Sequence, residues 1–173
     1  SLHPWVWQDA DFVASDCKTA VSTQGVWVME SRQIPFMEET KERFQAIRDT
    51  YRINVDEAFL KGNADVNIPA KRRVKLLLDM GRLSVGFPEL WMSGGNGARI
   101  KITYAESLFD SDGEKGDRDQ VEGKNMRGYW DIYVADGGEN RLFRPLWLRT
   151  FRYVQLDIMT GDDPLVLHDF YQI

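Results

Sequence analysis

Apolar side chains at every second position are the feature of this 173-residue sequence that most constrains its fold. A period of two is the side-chain repeat of a β-strand with one buried face. The alternation predicts strands at "VKLLLDM" (74–80), "ARIKITYAE" (98–106), "YWDIYVAD" (129–136) and "YVQLDI" (153–158). The side chains that share a face are, in chain order, Val74, Leu76, Leu78 and Met80; Ile100, Ile102 and Tyr104; Trp130, Ile132 and Val134; and Val154, Leu156 and Ile158.

Turn-forming segments separate these strands. "SGGNG", "ADGGEN" and "TGDDP" combine Gly, Asn, Asp and Pro, the residues that supply the backbone angles and side-chain hydrogen bonds of tight turns. "GVWVMES" (25–31) and "PLVLHDF" (164–170) add two shorter candidate strands. Many short strands joined by such turns predict an antiparallel β-sandwich or barrel.

One segment, "PFMEETKERFQAIRDTY" (35–51), has a different period. Phe36, Thr40, Phe44, Ile47 and Tyr51 recur at spacings of three and four, which is typical of an amphipathic helix. A strand with Phe44 and Ala46 on one side is the alternative. The sequence therefore predicts at most one short helix in an otherwise all-β chain.

Charge and composition exclude several classes of partner. A formal net charge of -5 and a pI near 5.1 repel phosphate backbones, so no nucleic-acid partner is expected. No apolar run reaches the ~18 residues of a membrane span, so no membrane partner is expected either. Cys17 is the only cysteine, which rules out an internal disulfide. We expect a single domain over 1–173, with 1–25 as an arm leading into the core, and a chain that is a fragment of a larger enzyme.

Catalytic motifs are scarce. The glycines of "SGGNGARI" (93–100) lack the Lys-Ser/Thr of a phosphate loop and favour a tight turn. His3 and His168 belong to no metal-binding pair, and no Gly-x-Ser-x-Gly elbow occurs, so a nucleophilic triad is not expected.

The loop "FDSDGEKGDRDQVEG" (109–123) is rich in carboxylates, the ligands that calcium prefers. It is not an EF-hand, because the sixth position counted from Asp110 is Lys115 instead of glycine. A solvated loop is the simpler interpretation. We assign no metal and no cofactor, and leave calcium as a possibility.

Six tryptophans supply rings of the kind that stack on the apolar face of a sugar, and Trp91, Trp130 and Trp147 lie near predicted strand ends. The alternative for each ring is burial in the core.

Ordered blocks of the chain resemble the bacterial α-L-rhamnosidase family. The blocks are "RQIPFMEE" (32–39), "NIPAKRRVKLLLDMGRLSVGFPELWMSGGNGARIKITYAESL" (67–108), "KGDRDQVEGKN" (115–125), "GYWDIYVADGG" (128–138) and "FRPLWLRTFRYVQLDI" (143–158). The resemblance implies an all-β, antiparallel jelly-roll β-sandwich, similar to galactose-binding domains, that precedes a catalytic α/α-barrel.

The implied enzyme hydrolyses terminal α-L-rhamnose, with one carboxylic acid protonating the leaving oxygen and another activating water. A strand-rich chain of this length does not contain the helical barrel, so no catalytic residue is assigned. The resemblance implies a non-catalytic accessory module whose role is to pack against the barrel of the same polypeptide or to contact a rhamnose-containing glycan. Digestion of external glycans implies an extracytoplasmic location. An autonomous carbohydrate-binding or carbohydrate-processing domain is the alternative.

Two groups of residues are the candidates for function. The predicted sugar-binding residues are Trp91, Asp117, Arg118, Asp119 and Trp147. In the second group, Arg152 is expected on the core side of its strand, where a buried guanidinium needs a carboxylate partner. Asp131 and Glu106 are the expected partners.

Overall fold

The computed structural model describes residues 33–173, and Glu38–Ile173 form one compact unit. The strands are β1 (Glu42–Arg43), β2 (Ala46–Tyr51), β3 (Val66–Ile68), β4 (Arg73–Gly86), β5 (Pro88–Gly94), β6 (Arg99–Ala105), β7 (Tyr129–Val134), β8 (Arg141–Phe143), β9 (Arg149–Met159) and β10 (Leu165–Gln172). The predicted arm, 1–25, and the predicted strand at 25–31 lie outside the described residues.

Two antiparallel sheets of five strands each pack face to face as a sandwich. Sheet 1 has the order β1-β10-β5-β8, and β3 pairs with the part of β10 that β1 leaves open. Sheet 2 has the order β2-β4-β9-β6-β7. The fold is the predicted all-β jelly-roll sandwich, and the strands expected from the alternation in β4, β6, β7, β9 and β10 are confirmed.

The apolar sides of both sheets meet in one core. Leu78, Ile102 and Leu156 of sheet 2 are fully buried there, as are Leu90 and Leu165 of sheet 1. A second, smaller cluster lies on the outer face of sheet 2, where Leu108 and Val121 of the β6–β7 connection cover Leu77 and Tyr153. This long connection therefore packs on the sheet beneath it.

The predicted helix over 35–51 is wrong, and the alternative strand is confirmed. Ala46–Tyr51 pair with β4, and Phe44 is buried with its ring centroid 4.9 Å from that of Phe170. Strand β4 provides backbone hydrogen-bond partners for this segment, and the core encloses the Phe44 ring. Because these long-range contacts outweigh the helical spacing of the apolar residues, the segment forms a strand. Among the described residues, helical structure is one 3₁₀ turn, Glu57–Lys61, which the Asp56 carboxylate caps at the Ala58 N–H, 2.8 Å away.

The outer face of β7 carries an exposed apolar stripe. Trp130, Ile132 and Val134 share one face as the alternation predicts, and this face points away from the core. Tyr133, on the other face, packs against the core. The Lys101 ammonium lies 5.3 Å from the centroid of the Trp130 ring.

Within the described residues, no helix is long and apolar enough to span a membrane.

Candidate functional site

A cleft opens at the end of the sandwich where β6 finishes and β7 and β9 begin. It has a volume of about 510 Å³ and is lined by Tyr104, Tyr129, Trp147, Leu148, Arg149 and Thr150. Antiparallel pairing of β6 with β7 places Tyr104 directly opposite Tyr129. The connection from β8 in sheet 1 to β9 in sheet 2 crosses this end and brings Trp147 to the same place.

An ion pair joins two strands at the cleft. The Arg149 guanidinium donates from Nε to Asp131 Oδ2 at 2.9 Å and from Nη2 to Asp131 Oδ1 at 2.8 Å. Its Nη1 donates to the carbonyl oxygens of Trp147 and Leu148. Two hydrogen bonds between the same two groups fix the orientation of both side chains. The pair therefore holds the start of β9 in place relative to β7.

Tyr104 is the most enclosed side chain of the cleft, with an exposed fraction of 2%. Its hydroxyl is closed off from solvent and lies beside the Asp131 carboxylate and the Arg149 guanidinium. Burial, followed by the nearby Asp131 carboxylate, raises the pKa of Tyr104 above its ordinary value, so the hydroxyl stays protonated at neutral pH. The Arg149 guanidinium carbon lies 5.8 Å from the centroid of the Tyr104 ring and 5.0 Å from that of Tyr129.

Two aromatic rings stand at the mouth of the cleft. Tyr129 is 70% exposed and Trp147 is 75% exposed. Tyr129 comes close to β6 because Gly128 precedes it: a Cβ at Gly128 would lie 1.7 Å from the carbonyl oxygen of Tyr104. Rings of this size that remain in water mark a surface for contact with a ligand or another domain.

The structure does not bring the predicted sugar-binding residues together. Trp91 lies on the outer face of sheet 1, between the core residues Leu90 and Met92, and its Nε1 donates to the Tyr171 hydroxyl at 2.9 Å. Trp147 belongs to the cleft at the sandwich end. The loop carrying residues 117–119 lies over the outer face of sheet 2. The structure therefore does not place all five residues at one site, and sugar binding by any of them stays a prediction.

The loop residues 117–119 make local structural contacts. Asp117 Oδ1 accepts the Asp119 N–H at 2.9 Å, and the Arg118 carbonyl accepts the Tyr153 hydroxyl at 2.7 Å. The Lys124 ammonium donates to the carbonyl oxygens of Lys115 and Asp117, each at 2.7 Å. A cationic side chain thus binds two carbonyl oxygens of the loop that the sequence suggested for calcium.

The remaining acids of this loop also have protein donors. Asp110 Oδ1 accepts the N–H groups of Asp112 and Glu114. Among the described residues, no group of three or more His, Cys, Asp or Glu side chains is arranged to hold a metal ion.

The predicted partners of Arg152 are wrong. Arg152 binds Asp79 on the outer side of sheet 2, with Nε to Oδ1 at 3.0 Å, and also Asp119. The register between β4 and β9 shifts between Asp79 and Ser84, opposite Arg152. Such a bulge changes which face a side chain occupies, so the alternation that runs through Val154 does not extend to Arg152.

The two expected partners pair elsewhere. Asp131 binds Arg149 in the cleft, as described above. Glu106 lies 3.6 Å from the Lys115 ammonium, and both side chains are about half exposed.

A Ser-His-Asp contact that sequence analysis did not expect lies on the outer face of sheet 1. Ser93 Oγ is 2.7 Å from His168 Nε2, and His168 Nδ1 is 3.1 Å from Asp65 Oδ1. The contacts follow the order of a nucleophilic triad. However, Ser93 is buried and its hydroxyl also accepts the Asn140 N–H.

A nucleophilic triad also needs backbone N–H groups that are free to stabilise an oxyanion. The N–H groups of Gly94 and Gly95 donate to the carbonyl oxygens of Gly138 and Pro164. These two amides follow Ser93 and are already paired, so neither is available to a developing oxyanion. The geometry is that of a cross-strand hydrogen-bond network.

Sequence analysis missed Tyr104, Tyr129, Arg149 and Thr150 of the cleft. All four lie within the conspicuous blocks "ITYAES", "GYWDIY" and "WLRTFRY". The available signal was that aromatic residues stand at strand ends in three separate blocks. Which of those ends meet depends on the order of the strands in the sheets.

Comparison with known proteins gives the class of this sandwich. It resembles the crystal structure of a GH78 family rhamnosidase of Bacillus sp. GL1, with a TM-score of 0.50 and 18% identity over 68% of this chain and 12% of that one. It also resembles a rhamnosidase from Klebsiella oxytoca with rhamnose bound, with a TM-score of 0.52 and 12% identity over 80% of this chain and 29% of that one. Both likenesses concern the fold. The chain spans well under a third of either rhamnosidase.

A comparison with curated protein sequences finds no match. The family described as bacterial alpha-L-rhamnosidase concanavalin-like domain matches residues 70–169, which is more than half of the chain. The match begins before β4 and ends within β10. The chain belongs to this rhamnosidase domain family.

Proposed function

We propose that this chain is a non-catalytic accessory module of an α-L-rhamnosidase and that it supports a catalytic α/α-barrel of the same polypeptide. The observation that carries the proposal is the family match over residues 70–169 in a chain that spans 12% and 29% of two solved rhamnosidases. The parent enzyme hydrolyses terminal α-L-rhamnose of an external glycan.

The pairing of the carboxylates supports a non-catalytic role. Glycoside hydrolysis needs a carboxylic acid with a raised pKa and a second carboxylate at a fixed distance. Here the Asp131 carboxylate of the cleft is bound by Arg149. The Arg144 and Arg141 guanidinium groups lower the pKa values of Glu39 and Asp136, respectively, which is the opposite of what a general acid requires.

The surface around Ile173 suits a contact with a following domain. Ile173 and Phe87 exchange two backbone hydrogen bonds, at 2.8 and 2.9 Å, so the polypeptide is held there against the start of β5. Leu83 and Val85 are exposed beside it and line a shallow depression together with Ile173. A polypeptide continuing past Ile173 leaves the sandwich next to these apolar side chains, which a packed domain would cover.

Two measurements test the proposal. This chain, incubated with an aryl α-L-rhamnoside, should release no aryl alcohol above the buffer rate. Turnover that disappears in Asp131→Asn, or in any other single-carboxylate variant, would show a catalytic site in the module and overturn the proposal.

The supporting role is tested in the parent polypeptide. Val85→Asp should lower its melting temperature and leave that of the isolated chain unchanged. Val134→Asp is the matched control, because both valines are 59% exposed and Val134 lies on the outer face of β7. Equal effects of the two variants in the parent polypeptide would contradict a barrel contact at Val85.

A further inference from the structure

We propose that the cleft lined by Tyr129 and Trp147 binds a neutral pyranoside, whose less polar face packs on the two rings. The site differs from the five sugar-binding residues predicted from sequence, of which it contains only Trp147. The choice of a 6-deoxyhexose as ligand rests on the proposed function, whereas the cleft itself does not.

The aromatic rim is the first argument. Tyr129 and Trp147 expose large rings on either side of the cleft while Tyr104 forms an enclosed wall. The C–H groups of a pyranose pack on such rings, and neighbouring polar groups fix its orientation. The aliphatic side chain of Leu148 also lines the cleft and suits the C6 methyl group of a 6-deoxyhexose.

Charge compensation is the second argument, and it selects a neutral ligand. Arg149 is paired with Asp131 through two hydrogen bonds, and its Nη1 is taken by two backbone carbonyls. The guanidinium therefore has little donor capacity left for a carboxylate or phosphate. A uronate or a sugar phosphate would therefore find no free cation among the residues that line the cleft.

The site lies close to the C-terminal residue. Gly86 is paired with Arg149 in the sheet, and a Cβ at Gly86 would lie 2.8 Å from the Ile173 carbonyl oxygen. A sugar held in the cleft therefore lies near the start of any domain that follows. This position suits contact with a branch of the glycan on which the parent enzyme acts.

The experiment is an NMR titration of this chain with methyl α-L-rhamnoside, followed through the indole N–H of Trp147 and the backbone amides of β7 and β9. We expect saturable shifts with a Kd on the order of 0.1–1 mM, as is usual for small sugar sites with few contacts. Methyl α-L-fucoside tests a second neutral 6-deoxyhexose. D-Glucuronate should bind at least about tenfold more weakly, because its carboxylate has no free partner.

Single substitutions locate the binding. Trp147→Ala and Tyr129→Ala should each weaken the Kd about tenfold or more through loss of a stacking surface. Trp130→Ala is the matched control: Trp130 is the next residue after Tyr129, is 50% exposed, and lies on the opposite face of β7. The Kd of the Trp130→Ala variant should equal that of the unsubstituted chain.

The proposal is overturned by the absence of shifts at tens of millimolar of either neutral sugar, by unchanged affinity in Trp147→Ala, or by tighter binding of glucuronate. Shifts confined to Trp91 or to residues 106–128 would also overturn it. Failure here leaves the accessory role intact, because barrel support is measured by the melting temperature of the parent polypeptide.

Discussion

Arg149 at the start of β9 and Asp131 in β7 form a bidentate ion pair, with N–O distances of 2.8 and 2.9 Å, at the end of the sandwich. These two strands are not neighbours in sheet 2, because β6 lies between them. The pair therefore bridges across β6. It fixes the positions of β7 and β9 at the end of the sandwich, where Tyr104 and Tyr129 line the cleft.

Breaking this pair should destabilise the chain. Arg149→Met leaves the Asp131 carboxylate partly buried without its partner, and removal of one member of a well-enclosed pair costs about 3 kcal/mol. Urea unfolding should report that loss for Arg149→Met. The double variant Arg149→Met/Asp131→Leu should recover part of it, and a double variant that is as unstable as the sum of the single variants would contradict the coupling.

Asp79 should matter more for stability than Arg152. Asp79 is buried and binds Arg152, Arg48 and the Gly81 N–H. Asp79→Ala removes the carboxylate that Arg48 and Arg152 share, leaving Arg152 with Asp119 alone, and should cost about 3–5 kcal/mol. Arg152→Met leaves Asp79 with two donors and should cost about 1–2 kcal/mol. Thermal unfolding of both variants checks the order, and a larger loss in Arg152→Met would contradict it.

Base should destabilise the chain through Tyr104. Burial raises the pKa of Tyr104 in the folded state, while an unfolded tyrosine titrates near pH ~10. Below that pH the phenol is neutral in both states and stability is unaffected by its titration. Above it the unfolded chain loses the proton and the folded chain keeps it, so stability falls as pH rises.

The measurement is the melting temperature between about pH 8 and 11, with Tyr104→Phe as the comparison. The decline should be shallower in Tyr104→Phe. It should not vanish, because burial also raises the pKa values of Tyr133, Tyr153 and Tyr171. Parallel curves for the two proteins would contradict a buried, protonated Tyr104.

Gly128 should not tolerate a side chain. A Cβ there would lie 1.7 Å from the Tyr104 carbonyl oxygen, so Gly128→Ala must separate β7 from β6 and should cost about 3 kcal/mol or more. Gly123→Ala is the control: it has open space around the added Cβ and a φ of 73°, and should cost only about 1 kcal/mol. Chemical denaturation of both variants distinguishes steric overlap from backbone strain.

Most strands of the sandwich could be predicted from local sequence patterns. The alternation in β4, β6 and β9 places Leu78, Ile102 and Leu156 in the core, because side chains along a strand point to opposite faces in turn. Glycine- and aspartate-rich segments mark the turns for an equally local reason, since they supply backbone angles that other residues adopt poorly. Blocks spread over the chain also resemble the rhamnosidase family, and this resemblance predicted that the sandwich is a jelly roll.

Which side chains meet depends on contacts between distant parts of the chain. Alternation states that Trp130, Ile132 and Val134 share a face, but it does not state which face, and in the sandwich this face of β7 lies in solvent. The pairing of β4 with β9 shifts register between Asp79 and Ser84, which places Arg152 beside Asp79 instead of on the core side, and no local pattern records such a shift. The cleft depends on strand order and on the crossing between the sheets. These bring Tyr104, Tyr129 and Trp147 to one end, because non-local pairing, and not sequence spacing, sets the distances between strand ends.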